Sequence, residues 1–325
     1  MIIKNKLNQI ELFLNKSGIK SAKLMLLDGD ASKRKYARIF DNDNSKILMD
    51  DQDCQNVNNF LNTTKIFKKL NLSVPEIYAV SLEDGLVLLE DFGDLTFNEC
   101  LKKTHVHEYI YESAVDIITE IHSSEFSNNL KIYSTNQIID EIKIFLDWAM
   151  LYFTGKNNYN DVTKNFLKKW LEIARFININ SNVIVHYDYH ADNLIWLGDR
   201  KGLNRVGILD YQDAIIGPPV YDLVSLLQDA RVDVNKKLQS ALIDRYLKNY
   251  KGKAKEFEYL YDCVAAQRNT RILGVFARLY LRDSKKNYLK YTERVINNLR
   301  ENLKNPELKE LKEFYEMLIP KQMHH

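Results

Sequence analysis

The chain has 325 residues, 45% of them hydrophobic, which is enough for one large domain or two with a sizeable core. Its 46 basic and 44 acidic residues leave a net charge of +2, which argues against nucleic acid or a membrane surface as a partner. The three cysteines are widely spaced and match neither a disulfide framework nor a zinc motif. The sequence also lacks a signal-like start and an apolar run long enough to span a membrane, so we expect a cytoplasmic protein.

The first 90 residues alternate between helical and strand-like spacing of apolar residues. Helical spacing predicts helices at 3–16 and 54–70, and Pro75 ends the second pattern because proline disfavours helix at the preceding residue. Short apolar segments bounded by polar or turn residues predict strands at 22–27, 36–40, 46–50, 77–81 and 86–90. The first three of these strands are expected to form an antiparallel meander.

After residue 91 the pattern changes to long helical stretches. Predicted helices lie at 106–124, 136–153, 160–179, 220–229, 236–250, 255–281, 286–303 and 307–317. Strands before about residue 90 and helices after it predict an α+β protein with two lobes, residues 1–91 and 92–325, joined by a hinge at 90–94.

One stretch carries polar residues in a spacing that kinases use. His186, Asp188 and Asn193 form the pattern H-x-D-x-x-x-x-N, and Asp210 follows 17 residues after Asn193 at the end of a short apolar run. In kinases the first aspartate takes the proton of the acceptor hydroxyl, while the asparagine and the second aspartate bind metal ions. A β-hairpin of residues 194–197 and 205–209 would return the chain and deliver Asp210. The pattern predicts ATP and Mg²⁺ as cofactors.

Together with the lobe order, these motifs make the chain resemble the aminoglycoside phosphotransferase/choline kinase superfamily. Within it, the chain is most similar to the bacterial anomeric kinases of N-acetylmuramate and N-acetylglucosamine used in cell-wall peptidoglycan recycling. The resemblance covers nearly the whole chain and is carried by residues 29–36, 85–94, 186–197, 206–231 and 267–279. It implies a two-lobe protein-kinase-like fold and transfer of the ATP γ-phosphate to the anomeric hydroxyl of a small sugar.

Roles in the catalytic loop follow from the motif and the resemblance. Asp188 would be the catalytic base, and Asn193 and Asp210 would hold Mg²⁺, which prefers a few oxygen ligands. The resemblance implies that His186 supports the loop by hydrogen bonding and that Asp222 braces it. Asp222 could also act simply as an acidic residue at a helix N-terminus.

The nucleotide is expected to lie against the first lobe. Residues between the first two strands could cradle phosphate, although a solvated hairpin loop is the alternative, and main-chain atoms of the hinge would hold adenine. Apolar residues beside the hinge would line the adenine site or simply pack in the core. The predicted nucleotide-binding residues are Ser32, Lys33, Arg34, Leu48, Leu89, Glu90, Asp91 and Phe92.

The third predicted strand departs from the superfamily pattern. Met49 stands where the superfamily usually has a lysine or arginine that pairs with the α- and β-phosphates. Lys33, Arg34 and Lys35 are candidates for the missing cation. The departure also leaves open a catalytically silent, nucleotide-binding pseudokinase.

A polar stripe on the predicted helix 255–281 suggests the acceptor site. Gln267, Arg271 and Arg278 share one face, Gly274 between them would admit a ligand or backbone, and arginine suits a carboxylate such as the lactyl group of N-acetylmuramate. The predicted substrate-binding residues are His190, Asp192, Gln212, Asp213, Gln267, Arg271 and Arg278. His190 could instead only pack, and the arginines could instead belong to a solvated charged face of the helix.

Other acceptors of the superfamily remain alternatives, namely aminoglycosides, choline, homoserine and methylthioribose. Choline would call for an aromatic cage and aminoglycosides for a cluster of acids, so the arginine stripe argues against both. The expected partner is therefore a small-molecule sugar. No feature of the sequence sets an oligomeric state.

Overall fold

A computed structural model describes residues 2–20, 23–27, 34–41, 44–103, 107–124, 130–156 and 161–319. The chain divides into two compact units. Unit 1 comprises Met1–Ser113 and Asp192–Asp213, and unit 2 comprises Ala114–Ala191 and Ala214–His325. The lobe boundary expected after residue 91 remains a prediction.

In the described part of the chain, five β-strands precede the hinge and four short ones flank the catalytic motif. They are β1 (Lys23–Leu27), β2 (Lys35–Asp41), β3 (Asn44–Asp50), β4 (Ile77–Ser81), β5 (Leu86–Glu90), β6 (Val183–Val185), β7 (Leu194–Trp196), β8 (Val206–Ile208) and β9 (Ile215–Gly217). All five strands predicted in the first 90 residues are confirmed, as is the ribbon that contains Asn193 and Asp210.

The α-helices of the described residues lie in both units, most of them in unit 2. They are α1 (Ile2–Lys16), α2 (Cys54–Lys69), α3 (Phe97–Lys103), α4 (His107–Ser123), α5 (Thr135–Ile144), α6 (Met150–Thr154), α7 (Asp161–Ile179), α8 (Tyr221–Leu227), α9 (Lys236–Leu247), α10 (Ala254–Leu281), α11 (Thr292–Asn302) and α12 (Lys309–Leu318). None of the helices in the described ranges is long and apolar enough to cross a membrane.

Unit 1 contains a five-stranded antiparallel sheet in the order β1-β2-β3-β5-β4. One face of this sheet packs against α1. The buried residues that form this core are Phe13, Leu14, Ile19, Ala37, Ile39, Leu48, Leu86 and Leu88. Because side chains alternate along a strand, the residues between these core positions lie on the opposite face.

Unit 1 also contains the ribbon of β7 and β8, in which Leu194 pairs with Ile208. The pairing places Asn193 and Leu209 at the same end of the ribbon, where the Leu209 amide donates to the Asn193 carbonyl at 2.9 Å. Asp210 follows immediately. The structure therefore confirms that a hairpin brings Asn193 and Asp210 to one place.

Unit 2 is built around α10, which is buried along most of its length. A Cβ atom on Gly274 of α10 would lie only 2.6 Å from the backbone at Ile144 and Phe145. Glycine is therefore required here for backbone approach rather than for contact with a ligand. β6 pairs with β9 and leads directly into the catalytic loop.

The helix predicted at 136–153 is not continuous. It consists of α5, a π-helical segment at Phe145–Ala149 and α6, and the π segment packs against α10 beside Gly274. The helix predicted at 286–303 likewise begins as a 3₁₀ segment, Lys286–Tyr291, before α11. Apolar periodicity registers these stretches as helical but does not resolve the type of turn. The α+β class itself is confirmed.

Candidate active site

The catalytic loop of unit 2 begins where β6 ends and has an unusual backbone. Tyr187 adopts a positive φ of 79°, a conformation that is rare for an aromatic residue and is maintained only when its surroundings enforce it. The buried carboxylate of Asp222, in the first turn of α8, accepts hydrogen bonds from the His186 amide at 2.6 Å and the Tyr187 amide at 3.0 Å. Asp222 therefore fixes the turn that precedes Asp188.

Burial raises the pKa of Asp222 to about 7, while its two backbone hydrogen bonds and the charge of Arg268 act in the opposite direction. His186 is also fully buried, and its Nδ1 accepts a hydrogen bond from the Asp188 amide at 3.2 Å. These contacts hold the backbone from His186 to the Asp188 amide. They support the bracing role expected for Asp222 and the loop-supporting role expected for His186.

The Asp188 side chain is 46% exposed, and its Oδ1 lies 3.4 Å from Nε2 of His190. Burial acts to raise the pKa of Asp188, but the charges of His190, Arg268 and Arg271 outweigh it and leave that pKa well below its ordinary value. Burial acts to lower the pKa of His190, but Asp188 opposes it, and the net shift is upward. Asp188 is thus a half-exposed carboxylate whose neighbouring cations favour its ionised form.

Beside this loop, one carboxylate organises several polar side chains. Glu141 of α5 accepts hydrogen bonds from the Tyr133 hydroxyl at 2.7 Å, from Nε2 of Gln267 at 2.7 Å and from the Tyr187 hydroxyl. The guanidinium of Arg271 lies over the Tyr187 ring at 5.0 Å. Gln267, predicted to contact substrate, is fully buried and contributes to this network instead of presenting its amide nitrogen to solvent.

Sequence reasoning missed two residues of this region, Glu141 and Arg268. Arg268 lies three positions before Arg271, a spacing that places both on one side of α10. Glu141 is one of two adjacent acids in α5, and the sequence alone does not distinguish it from the exposed Asp140. The predicted Arg278 lies about two turns beyond Arg271, and burial together with the charge of Arg282 lowers its pKa.

In unit 1, Asp210 has a positive φ of 58° and a side chain that is 44% exposed. Nε2 of Gln212 donates to its Oδ1 at 2.9 Å and to Asp213 at 3.3 Å. One exposed carboxylate and the amide of Asn193, on the same end of the ribbon, fit the small protein share of a Mg²⁺ site. Within the described part of the chain, no cluster of three or more His, Cys, Asp or Glu residues forms a fuller metal cage.

Three more residues predicted to bind the acceptor, Asp192, Gln212 and Asp213, lie in unit 1. Oδ1 of Asp192 accepts a hydrogen bond from Nδ2 of the Asn98 side chain at 2.8 Å. Asp213 is exposed, and Gln212 is buried against Asp210. Gln212 therefore contacts Asp210, the predicted metal ligand.

The hinge side chains are largely engaged with other parts of unit 1. Arg38 donates to both oxygens of Asp91, at 2.6 and 3.1 Å, and to both oxygens of Asp94. Glu90 pairs with Arg200, and Phe92 packs on Gly207. The Asp91 and Glu90 side chains are therefore engaged within unit 1, and the expectation that main-chain atoms of the hinge hold adenine stays a prediction.

Two further nucleotide predictions differ in position. Leu48 belongs to the core that packs against α1, whereas Leu89 lies on the opposite face of the sheet. Arg34 immediately precedes β2 and is buried. Ser32 and Lys33 lie outside the described residues.

Comparisons with known proteins give one consistent result. Residues 23–259 match the phosphotransferase enzyme family. The chain is 28% identical to the N-acetylmuramate/N-acetylglucosamine kinase of Caulobacter vibrioides, and the match covers 95% of each chain.

Solved structures are similar at lower identity. An ADP-bound aminoglycoside phosphotransferase has a TM-score of 0.59 and 16% identity, over 90% of this chain and 98% of the other. The choline kinase of Streptococcus pneumoniae has a TM-score of 0.63 and 12% identity, over 90% and 99%. These two structures confirm the predicted protein-kinase-like fold.

Proposed function

The chain belongs to the phosphotransferase enzyme family, and on that basis we propose that it transfers the ATP γ-phosphate to the anomeric hydroxyl of an amino sugar. The acceptors we propose are N-acetylmuramate and N-acetylglucosamine, the sugars named for the relative from Caulobacter vibrioides. The observation that carries the proposal is the half-exposed carboxylate of Asp188, on a loop whose backbone is hydrogen-bonded to Asp222 and His186.

Asp188 would orient the acceptor hydroxyl and take its proton. Phosphoryl transfer depends mainly on positioning and on neutralising charge, so a base that accepts the proton late can work with a low pKa. The hydrogen bonds from the His186 and Tyr187 amides to Asp222 would hold Asp188 in place while the hydroxyl approaches.

Asn193 and Asp210 would hold Mg²⁺, and their common position at one end of the ribbon supports this assignment. When bound, the metal would neutralise charge on the nucleotide phosphates. The hinge backbone around Glu90 and Asp91 would hold the adenine. The use of ATP and the wide spacing of the three cysteines, which matches no disulfide framework, support a cytoplasmic location.

Arg268 and Arg271 favour an acceptor with a carboxylate. Both act electrostatically on Asp188, and arginine can bind a carboxylate through two parallel hydrogen bonds. N-acetylmuramate carries such a group and N-acetylglucosamine does not, so the former should bind more tightly. A choline-like cation is disfavoured because Arg271 already covers the face of Tyr187.

A nucleotide-binding pseudokinase is the second candidate. The observation that favours it is Met49, which is fully buried and carries no charge at the strand position expected to pair with phosphates. Such a protein would bind ADP or ATP but form no product with any acceptor.

The test is product formation by the full chain with ATP and Mg²⁺, followed by mass spectrometry. The panel comprises N-acetylmuramate, N-acetylglucosamine, choline, homoserine, methylthioribose and an aminoglycoside. We expect a singly phosphorylated amino sugar, and no product from the matched 1-O-methyl glycosides, because these lack the anomeric hydroxyl. Phosphorylation of a 1-O-methyl glycoside would contradict the anomeric assignment, and product from another acceptor alone would replace the proposed substrate.

A further inference from the structure

The position of Met49 poses a specific chemical question. Its side chain is fully buried on β3 and pairs in register with Tyr36 of β2. A thioether cannot neutralise phosphate charge, and kinases rely on a cation near the α- and β-phosphates. If the chain uses ATP as proposed, another residue of unit 1 must supply that charge.

Strand register places Arg34 next to this position. Lys35 pairs with Asp50 and Tyr36 pairs with Met49, so the same register continued by one residue sets Arg34 opposite Asp51. Nε of Arg34 indeed donates to Oδ2 of Asp51 at 3.0 Å.

The face of the sheet also matters. Ala37 and Ile39 of β2 point into the core beneath α1, so Arg34, two residues before Tyr36, lies on the opposite face together with Tyr36. Lys35 lies on the other side of the strand and is exposed. Of the two candidate cations that the structure describes, only Arg34 is on the face that carries Met49.

Asp51 is held rigidly. Its amide donates to the Gly85 carbonyl at 2.9 Å, and its Oδ1 accepts from the Asp53 amide at 3.0 Å. Burial acts to raise the pKa of Asp51, but the Asp53 amide and Arg34 outweigh it and lower that pKa. Asp51 is therefore a fixed anion that can orient a guanidinium.

The other end of the guanidinium points toward the predicted metal ligand. Nη1 of Arg34 lies 3.8 Å from Oδ1 of Asp210, beyond hydrogen-bonding distance. The guanidinium thus lies between an orienting carboxylate and the carboxylate expected beside the nucleotide phosphates. Its planar set of donors is suited to bind phosphate oxygens through more than one hydrogen bond.

We infer that Arg34, oriented by Asp51, is the cation that pairs with the α- and β-phosphates in place of the missing strand lysine at Met49. Protein kinases orient that lysine with a glutamate from a helix. Here the orienting acid would come from the residue after β3. The inference rests on the proposed use of ATP, but it does not depend on which acceptor is phosphorylated.

The experiment is calorimetric binding of ADP and of adenosine, with Mg²⁺ present, to the wild type and to Arg34→Gln. We expect ADP to bind at least about tenfold more weakly to the variant, equivalent to about 1.4 kcal/mol. Adenosine should bind with unchanged affinity, because it has no phosphates. A general structural defect would weaken both ligands.

Three further variants sharpen the test. Lys35→Gln is the matched control and should leave ADP affinity unchanged. Arg34→Lys should recover part of the loss, since it restores the charge without the planar fork. Asp51→Asn should weaken ADP binding less than Arg34→Gln does, because the cation remains but loses its orienting charge.

Wild-type ADP affinity in Arg34→Gln would overturn the inference, as would an equal loss of adenosine binding. A wild type that binds no ADP would overturn both this inference and the proposed function. A wild type that binds ADP but phosphorylates no sugar would overturn the proposed function alone, and the Arg34 series would still decide the inference.

Discussion

The two units handle charge in opposite ways. In unit 1, two arginines form ion pairs with acids: Arg34 pairs with Asp51, and Arg38 pairs with Asp91 and Asp94. In unit 2 the exposed acid, Asp188, lies among positive charges. The first arrangement fixes a guanidinium in one orientation, whereas the second keeps a carboxylate ionised.

This difference matches the two tasks of a kinase. Binding phosphates requires a cation that does not move, and carboxylate partners supply that rigidity. Receiving a proton requires a base that is exposed and charged, and neighbouring cations ensure the charge. The comparison predicts that substitutions in the two units have separable effects on nucleotide binding and on turnover.

The largest effect is expected for Asp188→Asn in unit 2. Loss of the base should lower kcat by about 10²- to 10⁴-fold, while ADP affinity stays at the wild-type value. Steady-state kinetics and calorimetry on the same preparation test both parts. Asp140→Asn, on the exposed surface of α5, is the matched control, and an undiminished kcat in Asp188→Asn would remove Asp188 from the mechanism.

A smaller effect is expected for Asp210→Asn in unit 1. If Asp210 holds Mg²⁺, metal and nucleotide should strengthen each other's binding, by about 5- to 150-fold for typical couplings. The variant should lose this coupling in calorimetric titrations of ADP with and without Mg²⁺. Asp199→Asn, between β7 and β8, should keep it. Unchanged coupling in Asp210→Asn would place the metal elsewhere.

Gly274→Ala tests the packing that supports the acceptor side of unit 2. The added methyl would meet backbone atoms at 2.6 Å, so the π segment or α10 must shift, at a cost of about 1–3 kcal/mol in unfolding free energy. Urea denaturation measures this cost. Gly198→Ala, where the nearest atom is 3.6 Å from an added Cβ, is the control and should be nearly neutral.

The smallest effect concerns His190. Its pKa is raised above 6.5 in the folded state, so it contributes stability below about pH 6.5 that is lost as the pH rises through the raised value. Asp188 and Asp229 favour the charged ring and Arg231 opposes it. His190→Gln should therefore flatten the fall in thermal stability on the alkaline side.

The control for that measurement is a second histidine of unit 2. Burial lowers the pKa of His122 to about 3, so this ring is neutral in the folded state and its stability contribution is lost only as the pH falls below about 6.5. His122→Gln should leave the alkaline slope intact. If His190→Gln also leaves it intact, the pairing with Asp188 does not control that slope.

Local patterns predicted the fold well, because strands and helices in this chain follow their apolar periodicity closely. The strands at 77–81 and 86–90 and the helix at 255–281 agree with the structure to within one residue. The pairing of β5 with β3 could not be predicted in this way, since it joins residues far apart in the chain, whereas β4 and β5 are joined by a short turn. Helix α3 was missed because it is short.

Residues of the site could be predicted only where a single sequence motif contains them. The spacing from His186 to Asn193 suggested a loop that the structure shows to be held by Asp222, and the ribbon brings Asp210 to Asn193. Glu141 and Asp51 act through contacts with residues distant in sequence, so no local pattern marks them. Gln267 was predicted to contact the substrate, and in the structure its Nε2 donates to Glu141.

Gly85 shows how far such a contact can extend. It lies at the β4–β5 turn with a φ of 68°, and a Cβ there would approach the Asp51 carbonyl oxygen to 1.9 Å. Any larger residue would displace Asp51 and, through it, Arg34. If Arg34 binds the phosphates as inferred, related sequences should keep the residue types at positions 34, 51 and 85 together. The glycine of this hairpin would then be conserved because nucleotide affinity depends on it indirectly.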